Sequence, residues 1–242
     1  MCTFHILNTR PRGQATSLTQ NLEKLGCIVT EYPLLNIIPT PVCYQDLSTH
    51  HYDVIICTSV NAITHSQPGF APLRAAHYIG TGVATSAALR AQGLESVYTP
   101  HPCGSEGVLH HPLLGQETAQ RILILTGHDY NRHLPDTLQQ RGHNVTVIPT
   151  YRRVPNLSPI TIDTALQMVV LTSIHGLRQL YTLASTTEPH FLHTPLVVVT
   201  KAMRKLAKAY QFSDTILVTD EVSDRAILQT VGQYITQHKE RL

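Results

Sequence analysis

Two Thr-Ser pairs, Thr58-Ser59 and Thr172-Ser173, each close an apolar run of strand length. A hydroxyl at the carboxyl end of a strand, where a helix opens, can cap the free helix N–H groups or present them to an anion. In open α/β sheets that edge is where ligands bind. Arginines stand at comparable places: Arg10 and Arg12 behind the first apolar run, Arg132 in the matching stretch of the second half, and Arg152-Arg153 within a proline-edged segment. Guanidinium groups grip carboxylates by paired hydrogen bonds. Tyr151, beside two of those arginines, adds a titratable hydroxyl that can serve as a proton donor. The chemistry implied is capture of an anion with an acid at hand. The plainer alternatives are N-capping for each hydroxyl, a solvated surface position for each arginine, and packing for the tyrosine.

Other motifs carry less. Gly80-Thr81-Gly82-Val83-Ala84-Thr85 approximates the G-x-G-x-x-G dinucleotide fingerprint, but its third glycine is Thr85 and no acidic residue closes the following strand to hold a ribose. Its glycines can still bring backbone N–H groups close to carboxylates. The 15 histidines include His50-His51 and His110-His111, adjacent rather than helically spaced, and His190 and His193, which flank a proline-bounded loop with no Cys or acidic cluster nearby, so no metal is expected. Neither G-x-S-x-G nor G-x-x-x-x-G-K-[ST] occurs, against hydrolase elbows and P-loops.

The elements that must position these residues come twice. The segment from Ile6 to Leu35 returns about 116 residues later, with Leu25-Gly26 answered by Arg141-Gly142, Val29 by Val145 and Pro33 by Pro149. YDVIICTSVNAI is then matched by LQMVVLTSIHGL, and the later strands follow in register. A repeat of half the chain is too long for a solenoid unit. It predicts two copies of one domain. In each copy apolar runs alternate with helical spacing, as with Ala15, Leu18, Leu22 and Leu25, or the helix expected from Thr85 to Gln92. Continuous runs such as DVIIC mark strands buried on both faces of a parallel sheet.

Two proline-edged segments, 33–41 and 147–155, break the rhythm. Proline keeps a strand away from a sheet centre, so they are predicted as a ladder between domains. The opening β-α-β of each copy then completes the later elements of the other. The fold class expected is α/β: two similar doubly wound parallel-sheet domains joined by a two-stranded linker, with the active-site cleft between them. Residues 1–33 with 157–242 form one domain, 42–146 the other, and 34–41 and 147–156 the linker strands. Two sequential domains split near 117 are the alternative.

Charge is nearly balanced at a formal +2, with 14% charged residues and no basic run, which argues against a nucleic-acid partner. The longest apolar runs fall far short of the ~20 residues that span a bilayer, no signal peptide is visible, and five scattered cysteines without C-x-x-C fit reduced thiols in the cytoplasm.

Leu7-Asn8-Thr9-Arg10-Pro11, Thr58-Ser59-x-Asn61-Ala62, Ile79-Gly80 with Ala84-Thr85, Ser105-Glu106-Gly107 and Tyr151-Arg152-Arg153 follow in one order, and the tail from Val197 to Val218 has a matching character. The series resembles the uroporphyrinogen-III synthase family, in its proteobacterial form, over essentially the whole chain. The resemblance implies a cytoplasmic, monomeric lyase of tetrapyrrole (haem and sirohaem) biosynthesis. That enzyme would cyclise hydroxymethylbilane to uroporphyrinogen III with loss of water and inversion of ring D, with no metal or organic cofactor. The substrate would be handed over from hydroxymethylbilane synthase. Tyr151 would be the catalytic residue. In the first half, the substrate-binding positions implied are Arg10, Thr58, Ser59, Asn61, Thr81, Gly82, Val83 and Ser105. In the second half they are Gly127, Arg132, Thr172, Ser173, Thr200 and Lys201. The chain departs from the family at Thr126, where an arginine is common, and at Thr200, where a glycine is. A two-lobed binding protein for a small anion is the rival expectation, and a nucleotide-dependent oxidoreductase resting on Gly80 and Gly82 is a second.

Overall fold

β-branched and aliphatic runs form strands here because successive side chains point to opposite faces and each face is covered by helices. The structure is a computed structural model that describes residues 4–43, 47, 50–66, 73–115, 118–160, 166–213 and 215–239. Its first half runs β1 (Phe4–Asn8), α1 (Thr16–Lys24), β2 (Cys27–Glu31), β3 (Leu35–Pro39), β4 (Tyr52–Cys57), α2 (Val60–Thr64), β5 (Ala75–Gly80), α3 (Val83–Arg90), β6 (Val97–Tyr98) and α4 (Ser105–Leu109). The second runs β7 (Arg121–Gly127), α5 (His133–Gln140), β8 (Asn144–Pro155), β9 (Met168–Leu171), α6 (Ile174–Thr186), β10 (Leu196–Val198), α7 (Lys201–Ala209), β11 (Ile216–Val218) and α8 (Asp224–Lys239).

The chain folds into two units, one split between residues 1–36 and 154–242, the other continuous from 37 to 153. The split unit holds a parallel sheet in the order β11-β10-β9-β1-β2. Numbered from its own first strand this is 2-1-3-4-5 read from the other edge, the flavodoxin-like winding. The continuous unit holds β3-β8-β7-β4-β5-β6, in which the strands from β8 to β6 are parallel. Setting β3 aside, it has the same spatial order, entered by the chain at its third strand. Each sheet therefore combines the β-α-β opening of one sequence half with the later strands of the other half.

Alternation explains the cores. In β4, Val54 and Ile56 join Val108, Leu134 and Leu138 in one layer, while Ile55 and Cys57 join Ala62, Ile63, Leu89 and Tyr151 in the other. The split unit closes around Ile6, Leu7, Val169, Val170, Leu177, Leu180, Val197 and Ile227, all fully buried. The repeated Leu25-Gly26 and Arg141-Gly142 end α1 and α5 alike. Gly26 and Gly142 have φ of 84° and 88°, and their N–H groups donate to Glu23 at 2.8 Å and Gln139 at 2.9 Å.

Two expectations need correction. The segment 147–155 does ladder with 34–41, the Thr40 N–H donating to the Thr150 carbonyl and the Asn156 N–H to the Leu34 carbonyl. But it continues the strand that starts at Asn144, and this 12-residue β8 also pairs with β7, so it has a neighbour on each side. Pro149 is tolerated there because the ladder is already irregular. Thr126 faces Pro149 and Gly127 faces Tyr151, so Thr150 is an extra residue on β8. Its carbonyl instead accepts the Thr40 N–H at 2.8 Å, on the β3 side. The helix expected from Thr85 begins at Val83, because Gly82 is extended at φ −158° and acts as its N-cap.

Candidate active site

In the continuous unit the winding reverses between β7 and β4, which opens a crevice beyond their carboxyl ends. A pocket of about 270 Å3 occupies this place. Thr58 and Ser59 follow β4, Thr126 and Gly127 end β7, Thr81 follows β5, and Gly104-Ser105 opens α4. The loop from Asp129 to Asn131, the Leu134 and Pro135 side of α5, Ile124, and Tyr151 with Arg153 of β8 complete the lining.

Hydroxyls knit the strand ends together. Thr58 Oγ1 donates to Thr126 Oγ1 at 2.8 Å, and Thr81 Oγ1 donates to the Thr58 carbonyl at 3.0 Å. The Thr81 carbonyl in turn accepts the Gly104 N–H at 2.7 Å. Thr150, the bulged residue, is fully buried and donates to the carbonyls of Ala62 at 3.1 Å and Thr126 at 3.3 Å. Ser59 is the N-cap of α2, its Oγ accepting the Ala62 N–H at 3.2 Å. The bulge thereby anchors β8 at the point where Tyr151 leaves it.

Tyr151 is 1% exposed, yet it lines the pocket. Oη lies 3.1 Å from Ser59 Oγ and accepts a hydrogen bond from Arg153 Nη2 at 2.9 Å. The Arg153 guanidinium carbon stands 5.1 Å from the ring centroid, within cation–π range. The ring has room because residue 127 is glycine: a Cβ there would come within 2.7 Å of Tyr151 Cζ and 2.9 Å of Oη. His65 flanks the same ring at 6.0 Å between centroids, and burial lowers its pKa, which favours the neutral imidazole. Burial pushes the Cys57 thiol up, so the cysteine at the end of β4 is protonated and inert.

Of the expected site residues, Thr58, Ser59, Thr81, Ser105, Gly127 and Tyr151 meet in this pocket. Asn61 sits in the first turn of α2, and Gly82 and Val83 at the head of α3, with Val83 70% exposed. Arg132, the N-cap of α5, is exposed and tied to Asp136 at 3.3 Å. These four do not line the pocket.

The remaining expected residues belong to the split unit. Ser173 caps α6, accepting the Gly176 N–H at 3.0 Å, and Thr172 precedes it. Thr200 caps α7, accepting the Met203 N–H at 3.2 Å, and Lys201 is exposed on that helix. Arg10 pairs with Asp224 at 2.6 Å, a partner nothing near it in sequence announces. Sequence reasoning named the Arg152-Arg153 pair without choosing between its members, noted Thr126 only as a departure from the family, and passed over Asp129 and Tyr130. For Arg153 a signal existed: two residues on from Tyr151, it shares a strand face with it, whereas Arg152 points away and is exposed.

Among the described residues, no group of three or more His, Cys, Asp or Glu could hold a metal ion, and no helix is long and apolar enough to cross a membrane. Cys27, Cys43, Cys57 and Cys103 are free, and Cys2 lies outside the described residues.

A family model described as uroporphyrinogen-III synthase HemD matches residues 16–228. Among solved structures, the chain resembles a uroporphyrinogen III synthase from the extremely thermophilic bacterium Thermus thermophilus with a TM-score of 0.64 at 15% identity, covering 97% of this chain and 100% of that one. It resembles uroporphyrinogen-III synthetase from Helicobacter pylori with a TM-score of 0.67 at 12% identity, covering 96% of this chain and 100% of that one. At such identities these structures speak for a shared fold.

Proposed function

The chain belongs to the uroporphyrinogen-III synthase family, and from that premise we propose how its residues meet the reaction. The enzyme is a lyase of tetrapyrrole biosynthesis that cyclises hydroxymethylbilane to uroporphyrinogen III. Its substrate is an open chain of four pyrroles bearing acetate and propionate groups, so binding calls for many dispersed anion donors. Strand-end hydroxyls and helix N–H groups are such donors, each helix terminus contributing ~0.3–1 kcal/mol. Thr58, Ser59, Thr81 and Ser105 provide them around the pocket, with Gly127 making room for the Tyr151 ring. In the split unit Thr172, Ser173, Thr200 and Lys201 offer a second set, and Arg10 reaches a carboxylate only in exchange for Asp224. Asn61, Gly82, Val83 and Arg132 stand ready at helix openings to meet more distant carboxylates.

Tyr151 is the proton source. The bond between the ring A methylene and its hydroxyl breaks with the electron pair on oxygen, and the phenolic proton completes a water molecule. The electron-poor azafulvene left behind is attacked by the substituted carbon of ring D. Rearrangement through a spiro intermediate then reverses that ring, and the proton ring D sheds on regaining aromaticity restores the phenol. The open chain also closes unaided to the unreversed isomer, so the enzyme must win on rate, at about 1.4 kcal/mol for each tenfold of preference. Holding the substrate in a closing conformation supplies much of that advantage. The same proposal takes the enzyme as a cytoplasmic monomer, consistent with its free cysteines. Because unaided closure wastes the substrate, it also takes hydroxymethylbilane by hand-over from hydroxymethylbilane synthase.

One observation carries this reading: a buried tyrosine on the pocket lining at the switch point, its hydroxyl hydrogen-bonded to two other lining residues, Ser59 and Arg153. Tyr151→Phe keeps the ring and removes the acid. With isomers separated by chromatography after oxidation, the variant should fold normally and form uroporphyrinogen III at least tenfold more slowly, general acids contributing ~10²–10⁴. Wild-type turnover in this variant would remove Tyr151 from the mechanism.

A further inference from the structure

We infer that Arg153 is a positioning residue that fixes the direction in which the Tyr151 phenol gives its proton, an inference that rests on Tyr151 being the proton donor. Tyr151 Oη has two neighbours of opposite character. Ser59 Oγ, at 3.1 Å, is a hydroxyl that can donate or accept. On its own it would let the phenol act as donor or acceptor, so that the phenolic proton has no fixed direction. Arg153 Nη2, at 2.9 Å, can only donate. It occupies a lone pair of the phenol oxygen whatever the state of the pocket. The phenolic proton is then left for Ser59 Oγ or for a substrate oxygen that displaces it. Ser59 is itself constrained, since its Oγ already accepts the Ala62 N–H as the cap of α2.

The guanidinium also sits where charge develops. When the C–O bond breaks and the phenolic proton leaves with the departing hydroxyl, Oη carries the negative charge until ring D returns a proton. A cation already hydrogen-bonded to that oxygen requires no reorganisation at that moment. The geometry is secured from several sides. Tyr151 and Arg153 share one face of β8, the guanidinium lies 5.1 Å from the ring centroid, and Arg153 is half-buried on the pocket lining. None of the ion pairs among the described residues takes up its charge, although Asp129 lines the same pocket.

A double-mutant cycle tests this, with kcat, KM and isomer ratio measured for Arg153→Met, Tyr151→Phe and the double variant. A residue working through the phenol should lower kcat about tenfold or more in the Arg153→Met variant while KM moves less than threefold. In the Tyr151→Phe background the same change should alter kcat less than twofold, because there is no phenolic proton left to direct. Arg153→Lys, which keeps a cationic donor, should recover part of the loss. Should Arg153→Met fold poorly, judged by circular dichroism, Arg153→Gln takes its place in the cycle. Full activity of the arginine variants, or a loss that persists undiminished without the phenol, overturns the inference. Full activity of Tyr151→Phe would instead strike the underlying reading of the tyrosine.

Discussion

Gly127 controls the phenol from behind. An added methyl would meet the Tyr151 ring at 2.7 Å, closer than any real Cβ contact, so in Gly127→Ala the ring has to move. The ring is packed in a core layer with Leu123, Leu125 and Ile63, and overpacking such a site costs roughly 1–3 kcal/mol. Gly127→Ala should therefore lose kcat by tenfold or more with a modest fall in Tm, read by parallel activity and thermal melts. A variant that melts early but turns over normally would show that the phenol tolerates displacement. At this scale the site is half legible in the sequence. Tyr151, Thr58 and Ser59 declare themselves by type and place. Gly127 stands out only beside Thr126, where the family resemblance expects an arginine. The pocket obtains its guanidinium from Arg153 instead, and only the two-residue period of a strand separates that residue from Arg152. Arg10 has the character of a carboxylate grip, but Asp224 occupies it from the far end of the chain. Spacing carries no information about partners so remote.

Strands buried on both faces are the easiest elements to read, because nothing but an apolar run can fill them, and β4, β7 and β9 follow their sequence signatures. β8 does not. Pro149 argues for an edge, but a bulge at Thr150 disposes of the missing N–H and lets the strand continue between two neighbours. Such a bulge depends on a cross-strand register that no local pattern encodes. Among helices, α7 poses a different question. Lys201, Arg204, Lys205 and Lys208 are all exposed, no acidic residue lies on the helix, and no ion pair among the described residues engages them. Their spacings of three and four make every neighbour a like charge, each such pair costing ~0.2–0.5 kcal/mol. For an enzyme with a polyanionic substrate this local cost has a use, since a dense cationic face raises encounter rates. Lys205→Glu should thus raise Tm by a few degrees and lower kcat/KM at low ionic strength. The kinetic difference should fade as salt shortens the screening length to ~3 Å near 1 M. A salt-independent kinetic defect would point to a direct contact in place of steering.

The two units differ in how the chain makes them. Everything in the core layers of the continuous unit comes from residues 37–153, whereas the sheet of the split unit needs β1 and β2 from the start of the chain and β9 to β11 from its end. Cutting the protein at the boundary of its sequence repeat therefore differs from cutting it at the boundary of its fold. A fragment of 37–153 keeps every partner of β4, which pairs with β7 from Val54 to Cys57 and with β5 on the other side. With 117 residues it is also long enough to bury a stable core. A fragment of 1–117 keeps β1 and β2 without β9, and leaves the β7 side of β4 open. That exposed edge is apolar on both faces and invites association. The 37–153 fragment should melt cooperatively and give dispersed amide NMR signals, while 1–117 should show neither and aggregate as its concentration rises. The opposite result, a cooperative 1–117 and a disordered 37–153, would mean that the repeat is also the folding unit. The crossed arrangement of the strands would then have to be abandoned.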